Sequence, residues 1–366
     1  MLPASRQLVT IVAAATSLVL ACALPAGADG PAPSARAGDK NAVLSLDESF
    51  RTPQNAAQRD WLTKQNTLAA KVGCEVGRQT ADRRSSCFVE FIPFRVVQLP
   101  SGKEIGRGVI GSGNTTQLDY KSSTYVQDVN LGLVQASGVA TLLSRAKVAV
   151  DCKASSGGGC TVTGGGGEQW LRYPAQNQHF TFKVTSPGKN ISYHQPPVKV
   201  TVSNLAAPNK LTRKLGDTAQ VRCDSEPVGS GTGRGCVNWT YEPTYTLDTH
   251  DPRITQVAWH VYWAQNNLRF KWGLQGKGRP LHHLSDVDLQ RYNRGIACPR
   301  GKYPGKSCDE YPFAATYEGA GLNSDYSTHA VPLNQNTTEG GSEYRGKFLR
   351  ENRILDHDAY WVHVKR

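Results

Sequence analysis

The rhythm of hydrophobic and polar positions changes several times along this chain, and each change predicts a different element. The run 8–24 is apolar except for Thr10, Thr16 and Ser17, follows Arg6, and precedes the small-x-small triplet Ala26-Gly27-Ala28. That pattern predicts an export signal peptide over 1–28, cut after Ala28. An uncleaved anchor and lipid attachment at Cys22 are the alternatives. Residues 29–39, rich in Pro, Gly, Ala and Ser, predict a flexible lead-in. Over 52–72, Trp61, Leu62, Leu68 and Ala69 take the spacing of an amphipathic helix. From about residue 85 β-forming runs take over, predicting strands at 87–99, 125–133, 146–150, 180–184 and 198–202. Gly- and Ser-rich clusters at 155–159 and 164–167 separate some of them, and strands of this kind predict an antiparallel β-sandwich over 85–204.

Residues 204–209, with Pro208, read as a connection between domains. Beyond it the spacing turns to mixed helix and strand. Ile254, Val257, Ala258, Val261, Tyr262, Ala264 and Leu268 predict a helix over 252–269, with Asp248 or Asp251 as cap and Pro252 in its first turn. A second helix is expected over 284–294 with Ser285 as cap, and a third over 339–352 with Tyr344, Phe348 and Leu349 on one side. Strands are expected at 326–331 and 359–364. The fold class is therefore α+β: leader 1–28, lead-in and helix 29–84, sandwich 85–204 and a mixed domain 205–366.

Composition narrows this picture. Thirty-six glycines and 20 prolines against a single methionine argue against a helical bundle, and 39% hydrophobic residues exclude a wholly disordered chain. Cleaving the leader removes Cys22 and leaves eight cysteines as close neighbours: Cys74 and Cys87, Cys152 and Cys160, Cys223 and Cys236, Cys298 and Cys308. Short gaps in an exported chain point to four local disulfides. Zinc fits poorly, because no Cys-x-x-Cys pair occurs.

The densest chemistry lies at Cys308-Asp309-Glu310-Tyr311-Pro312-Phe313-Ala314, followed by Thr316 and Glu318-Gly319. Asp309, Glu310 and Glu318 offer hard oxygen ligands for Mg²⁺, Mn²⁺ or Ca²⁺ and a carboxylate base. By composition alone such acids also suit a solvated loop.

The order of that string resembles the signature of the NucA/NucB family of secreted bacterial deoxyribonucleases. The resemblance continues upstream through Val221-Arg222-Cys223-Asp224, Gly235-Cys236-Val237, the 280–286 segment, Asn293-Arg294 and Ala297-Cys298-Pro299. Downstream it continues through Gln335-Asn336, Gly340-Gly341, Phe348, Arg353-Ile354-Leu355-Asp356 and Ala359-Tyr360-Trp361-Val362, so that it spans about 218–366 in the actinobacterial variety of the domain. It implies a small disulfide-braced fold similar to the ββα-metal, or His-Me finger, nucleases, with an aspartate in place of the usual histidine base. It implies non-specific, metal-dependent cleavage of DNA to 5′-phosphate ends, with one divalent cation: Mg²⁺ or Mn²⁺, alternatively Ca²⁺. Asp309 becomes the general base, Glu310 and Glu318 match family acids, and Asn336 helps hold the metal, with Glu339 as a further candidate. Ser342, Arg345 and Lys347 are candidates to meet phosphate, an exposed helix face being the ordinary alternative.

Charge adds little to the assignment. Residues 205–366 carry 21 basic and 17 acidic side chains (+4), whereas residues 29–204 carry 20 and 13 (+7). A DNA groove must therefore arise from arrangement, and the more basic N-terminal part offers a contact to DNA or to an anionic cell wall. The lone histidines His179, His194, His329, His357 and His363 read as surface or packing residues. The rival functions are a secreted binding or adhesion protein with a non-cutting nuclease-like domain, and a nuclease that also takes RNA.

Overall fold

Strand-forming runs over 85–204 pair into antiparallel sheets. The protein is described here by a computed structural model covering residues 41–47, 52–68, 73–152, 154–156, 159–187, 191–216 and 218–366. The expected leader, Cys22 and the 29–39 lead-in lie outside the described residues. The largest sheet runs in the order Ala42–Leu46, Ser85–Gln98, Lys103–Gln117, Thr124–Gly138, Gln178–Thr185 and Thr161–Gly164, with Thr80–Ala81 pairing to Ser85–Gln98. A second sheet runs Ala207–Lys214, Val198–Asn204, Ser144–Val150 and Gln169–Trp170. Phe94, Leu131 and Phe180 from the first share one core with Val148, Val200 and Val202 from the second.

Lys103–Gln117 is a long strand that the sequence pattern conceals behind glycines. A side chain at Gly108 would run into the Phe94 ring, and one at Gly111 into the Trp61 indole. Glycine inside this strand makes room for a partner's aromatic ring. Trp61 comes from the helix Ala56–Leu68, packs on Phe91 and donates its indole N–H to Asn177 Oδ1 at 3.1 Å.

The stretch 204–209 is a hairpin turn rather than a connection, since Ala207–Lys214 continues the sheet beside Val198–Asn204. Pro208, Lys210, Thr212 and Lys214 alternate outward, which leaves proline on an exposed edge. Val221–Asp224 pairs with Ser192–His194 on one side and with Gly235–Asn238 on the other, the latter joined to it by Cys223–Cys236, and both strands add to the first core.

A second core begins at Val228 and contains Tyr245, Leu247, Val257, Val261, Leu281, Tyr311, Tyr344, Phe348, Tyr360 and Val362. Thr244–Asp248 lies parallel to Ala359–Lys365, which pairs with Leu281–His282 on its other side. Ser307–Tyr311 and Ser327–Val331 form an antiparallel ribbon. A continuous helix follows: Leu333–Thr337 is α-helical, Thr338–Leu349 is a π-helix and Arg350–Asn352 is α-helical again. Tyr344 and Phe348 anchor it against Tyr245, Phe313 and Tyr360. The helices Thr255–Asn267 and Val287–Ala297 complete this part. Asp286, not Ser285, caps the latter, accepting from the backbone of Asp288 and Leu289.

The described residues belong to one unit, Ala35–Arg366, and a buried ionic network joins its two cores. Arg83 contacts Asp358 at 2.7 Å and donates to the carbonyls of Asn238, Trp239, Tyr241, Asn352 and Arg353. Arg222 forks onto both Asp358 oxygens at 2.7 and 2.8 Å, and Arg353 pairs with Asp224. All four expected disulfides are present. Among the described residues no helix is long and apolar enough to cross a membrane.

Candidate active site

Alternation along Ser307–Tyr311 sends neighbouring acids to different partners. Asp309, buried, meets His260 of the helix Thr255–Asn267, with 2.6 Å between Oδ2 and Nδ1. His260 Nε2 lies 2.9 Å from Ser327 Oγ on the other strand of the ribbon. Glu310 lies 3.5 Å from the Arg294 guanidinium. The Cys298–Cys308 disulfide ties the end of the Arg294 helix to the Glu310 strand, which fixes both groups on one rim.

The helix after the ribbon supplies the opposite wall. Asn336 donates through Nδ2 to Ser307 Oγ at 2.9 Å and to the Cys308 carbonyl at 3.0 Å. Those bonds fix the amide and leave Oδ1 without a hydrogen bond among the described residues. Nearly one turn later Glu339 is buried, and its Oε1 makes no hydrogen bond of normal geometry, the Tyr245 hydroxyl being likewise unsatisfied. At Gly340 and Gly341 an added Cβ would meet nothing, so the helix backbone is bare there. Asp309, Glu310, Asn336, Glu339 and Arg345 all line one open pocket of about 420 Å³.

The electrostatics of this pocket are those of acids with too little compensation. Burial pushes Asp309 up to about 8. Burial, then the Asp309 charge, pushes Glu310 up to about 7 against the pull of Arg294. Burial and the charges of Asp309 and Glu310 push Glu339 up to about 8. Burial drives His260 the other way, down to about 4. In the Asp309–His260 contact burial thus favours the uncharged form of each partner, so the contact holds a proton in a hydrogen bond rather than a full ion pair.

Other residues singled out from the sequence fall elsewhere. Glu318 does not line the pocket: its oxygens accept from the backbone N–H of His282 and lie 2.8 Å from His282 Nδ1. Ser342 bonds back to the Thr338 carbonyl at 2.8 Å, and Lys347 is exposed away from the lining. His260 went unremarked in the sequence. Its signal was there, three residues after Val257 and four before Ala264, a titratable ring on the apolar stripe.

These residues fit a hard divalent cation. A fixed amide oxygen and a buried Glu339 carboxylate whose one hydroxyl neighbour is Tyr245 face a pocket whose acids repel one another, and a cation offsets that repulsion. The fit is not a closed cage. Among the described residues the one tight set of His, Cys and acidic ligand atoms is Cys152, Cys160 and His194, whose cysteines form a disulfide.

Comparison with known proteins places this geometry. No curated protein and no solved structure matches the chain. The family model described as Deoxyribonuclease NucA/NucB matches residues 290–363, leaving His260 and its helix outside the match. That stretch supplies every residue lining the pocket, from Arg294 to Arg345, so the pocket lies within the part of the chain that is similar to the NucA/NucB deoxyribonucleases.

Proposed function

We propose that the protein is an exported, metal-dependent endonuclease that hydrolyses DNA without sequence specificity and leaves 5′-phosphate ends. The observation that carries this reading is the convergence of Asp309, Asn336 and Glu339 on one open pocket within the family segment. The order of an antiparallel ribbon followed by a helix supports the likeness to ββα-metal nucleases. Four disulfides and the leader-like 1–28 sequence support export. The basic N-terminal half supports retention on an anionic cell wall.

Asn336 Oδ1 and Glu339 would hold the cation, with Glu310 as the nearest further acid. When bound, such a cation supplies Lewis-acid polarisation of the scissile phosphate and favours the ionised form of the carboxylates beside it. In its ionised form Asp309 takes the proton of the attacking water at Oδ1, Oδ2 being held by the His260 ring. Its raised pKa makes it a stronger base than an ordinary carboxylate, and the His260 ring fixes its orientation. Arg345 and Arg294 on the rim meet the negative charge that grows on phosphate during attack. The bare backbone at Gly340 and Gly341 lets the phosphate come close. Glu318 serves this reading indirectly, by holding the Leu281–His282 strand.

Plasmid DNA and total RNA incubated with the purified full chain, with and without EDTA, test the reading. Chelator-sensitive loss of plasmid with RNA spared is the expected result. Equal loss of RNA removes the sugar preference, and no cleavage in any divalent metal leaves a binding protein.

A further inference from the structure

On the far side of His260 from the acidic pocket lies a second groove of about 480 Å³, lined by Gln256, Trp259, His260, Trp263 and residues 327–329. Trp259 and Trp263 sit one turn apart on the helix Thr255–Asn267, so they share a face. They remain 49% and 55% exposed, although burying an indole is ordinarily favourable. His329, exposed on the opposite wall, is the direct cross-strand partner of Asp309. Its ring lies 5.6 Å from that of His260 and only 30° from parallel to it. The groove thus adjoins the proposed site through one contact, since the imidazole that touches Asp309 also lines the groove.

The surroundings favour a polyanion carrying flat rings. Arg300, Lys302 and Lys306 are exposed on the loop before the ribbon, and none is in an ion pair among the described residues. The Tyr303 hydroxyl donates to the Thr328 carbonyl at 3.2 Å, pinning that basic loop against the groove wall. At the other end Arg366 stacks over Tyr262, which itself packs edge-on against Trp259. An aromatic lining flanked by cations is the arrangement with which proteins hold single strands, bases stacking on the rings and phosphates meeting the cations.

We infer that this groove binds unpaired bases of the substrate strand through Trp259, Trp263 and His329, next to the phosphate held in the acidic pocket. The inference rests on the reading of the protein as a DNA nuclease and specifies the form of DNA that it grips. A single-stranded or locally opened segment fits, because bases paired within a duplex cannot present a face to the indoles.

The test is fluorescence anisotropy of a labelled oligothymidylate on the full chain in EDTA, where cleavage does not interfere, with a hairpin duplex of matched length as the second probe. The wild type is expected to bind the single strand more tightly and to show quenched tryptophan emission. Trp259→Ala and Trp263→Ala are each expected to weaken single-strand binding about tenfold. The double replacement W259F/W263F is expected to restore most of it, which separates stacking from loss of fold. Equal affinity for both probes, or single-strand binding that both alanine variants leave unchanged, overturns the inference even where plasmid is still cut. Self-association of the chain that the alanine variants abolish, without any change in oligonucleotide binding, assigns the face to a second copy and also overturns it. Failure of the wild type to cleave any DNA in the plasmid assay with divalent metal defeats the underlying reading instead, and the chelated binding assay, which does not depend on cleavage, keeps the two failures apart.

Discussion

Two buried constellations of charge occupy this molecule, and they are satisfied to different degrees. At the junction of the two cores, Arg83, Arg222 and Arg353 face Asp224 and Asp358, and surplus donors go to backbone carbonyls. Opposite charges hold Asp358 below the ordinary carboxylate range although burial pushes it upward. In the pocket, Asp309, Glu310 and Glu339 crowd together, Arg294 pulls on Glu310 alone among them, and all three are held well above that range. A network that satisfies its own groups holds structure together. One that leaves acids repelling each other is completed by something from outside.

Replacing Asp309 with Asn sharpens the contrast most. Cleavage of plasmid is expected to fall about 10³-fold, the scale of a lost general base, without loss of thermal stability. Retained activity takes Asp309 out of the mechanism. At the junction, Arg222→Met removes the forked partner of Asp358 and leaves it to Arg83 alone, and is expected to cost about 3 kcal/mol in urea unfolding, while the metal requirement of the folded enzyme stays the same. A cost near zero shows that the network does not hold the cores together. Glu339→Gln is expected to raise the half-saturating metal concentration at least about tenfold, since even indirect partners of a metal commonly contribute that much. The same change is expected to raise the melting temperature in EDTA, because it removes a buried acid repelled by its neighbours.

The smallest expected effect concerns Glu318. Its contact holds His282 above the ordinary histidine pKa, so this contribution to stability is full below about pH 6.5. It is lost as pH rises through the raised folded value. His282 is partly exposed, so the change is modest. Melting curves across that window are expected to flatten in Glu318→Gln; an unchanged slope rejects the contact as its source.

Much of this fold was legible wherever side-chain periodicity reflects burial. The helix Thr255–Asn267 and the strands Ser85–Gln98 and Val198–Asn204 lie close to the expected ranges. Lys103–Gln117 was not legible, because its pattern is set by rings from other elements that fill the space above Gly108 and Gly111. The sandwich edge at Ala207–Lys214 was hidden by a proline that looks like a linker until its partner strand is seen. At the site, Asp309, Asn336 and Glu339 stood out through the order of a motif. His260 showed only as a titratable ring on an apolar stripe, and its meeting with Asp309, like the groove that Trp259 and Trp263 line, arises between a helix and a ribbon far apart in sequence. Glu318 looked equivalent to Glu310 in the string, yet the chain carries it to His282 instead.

The contrast between the two constellations comes down to whether the pocket takes a cation. Titrating Mn²⁺ into the full-length protein and following the unbound ion by electron paramagnetic resonance measures this directly. The wild type is expected to bind a single Mn²⁺, and Asn336→Ala and Glu339→Gln to bind it at least about tenfold more weakly with unchanged circular dichroism. A wild type that takes up no Mn²⁺, or variants that bind it as the wild type does, contradicts the account.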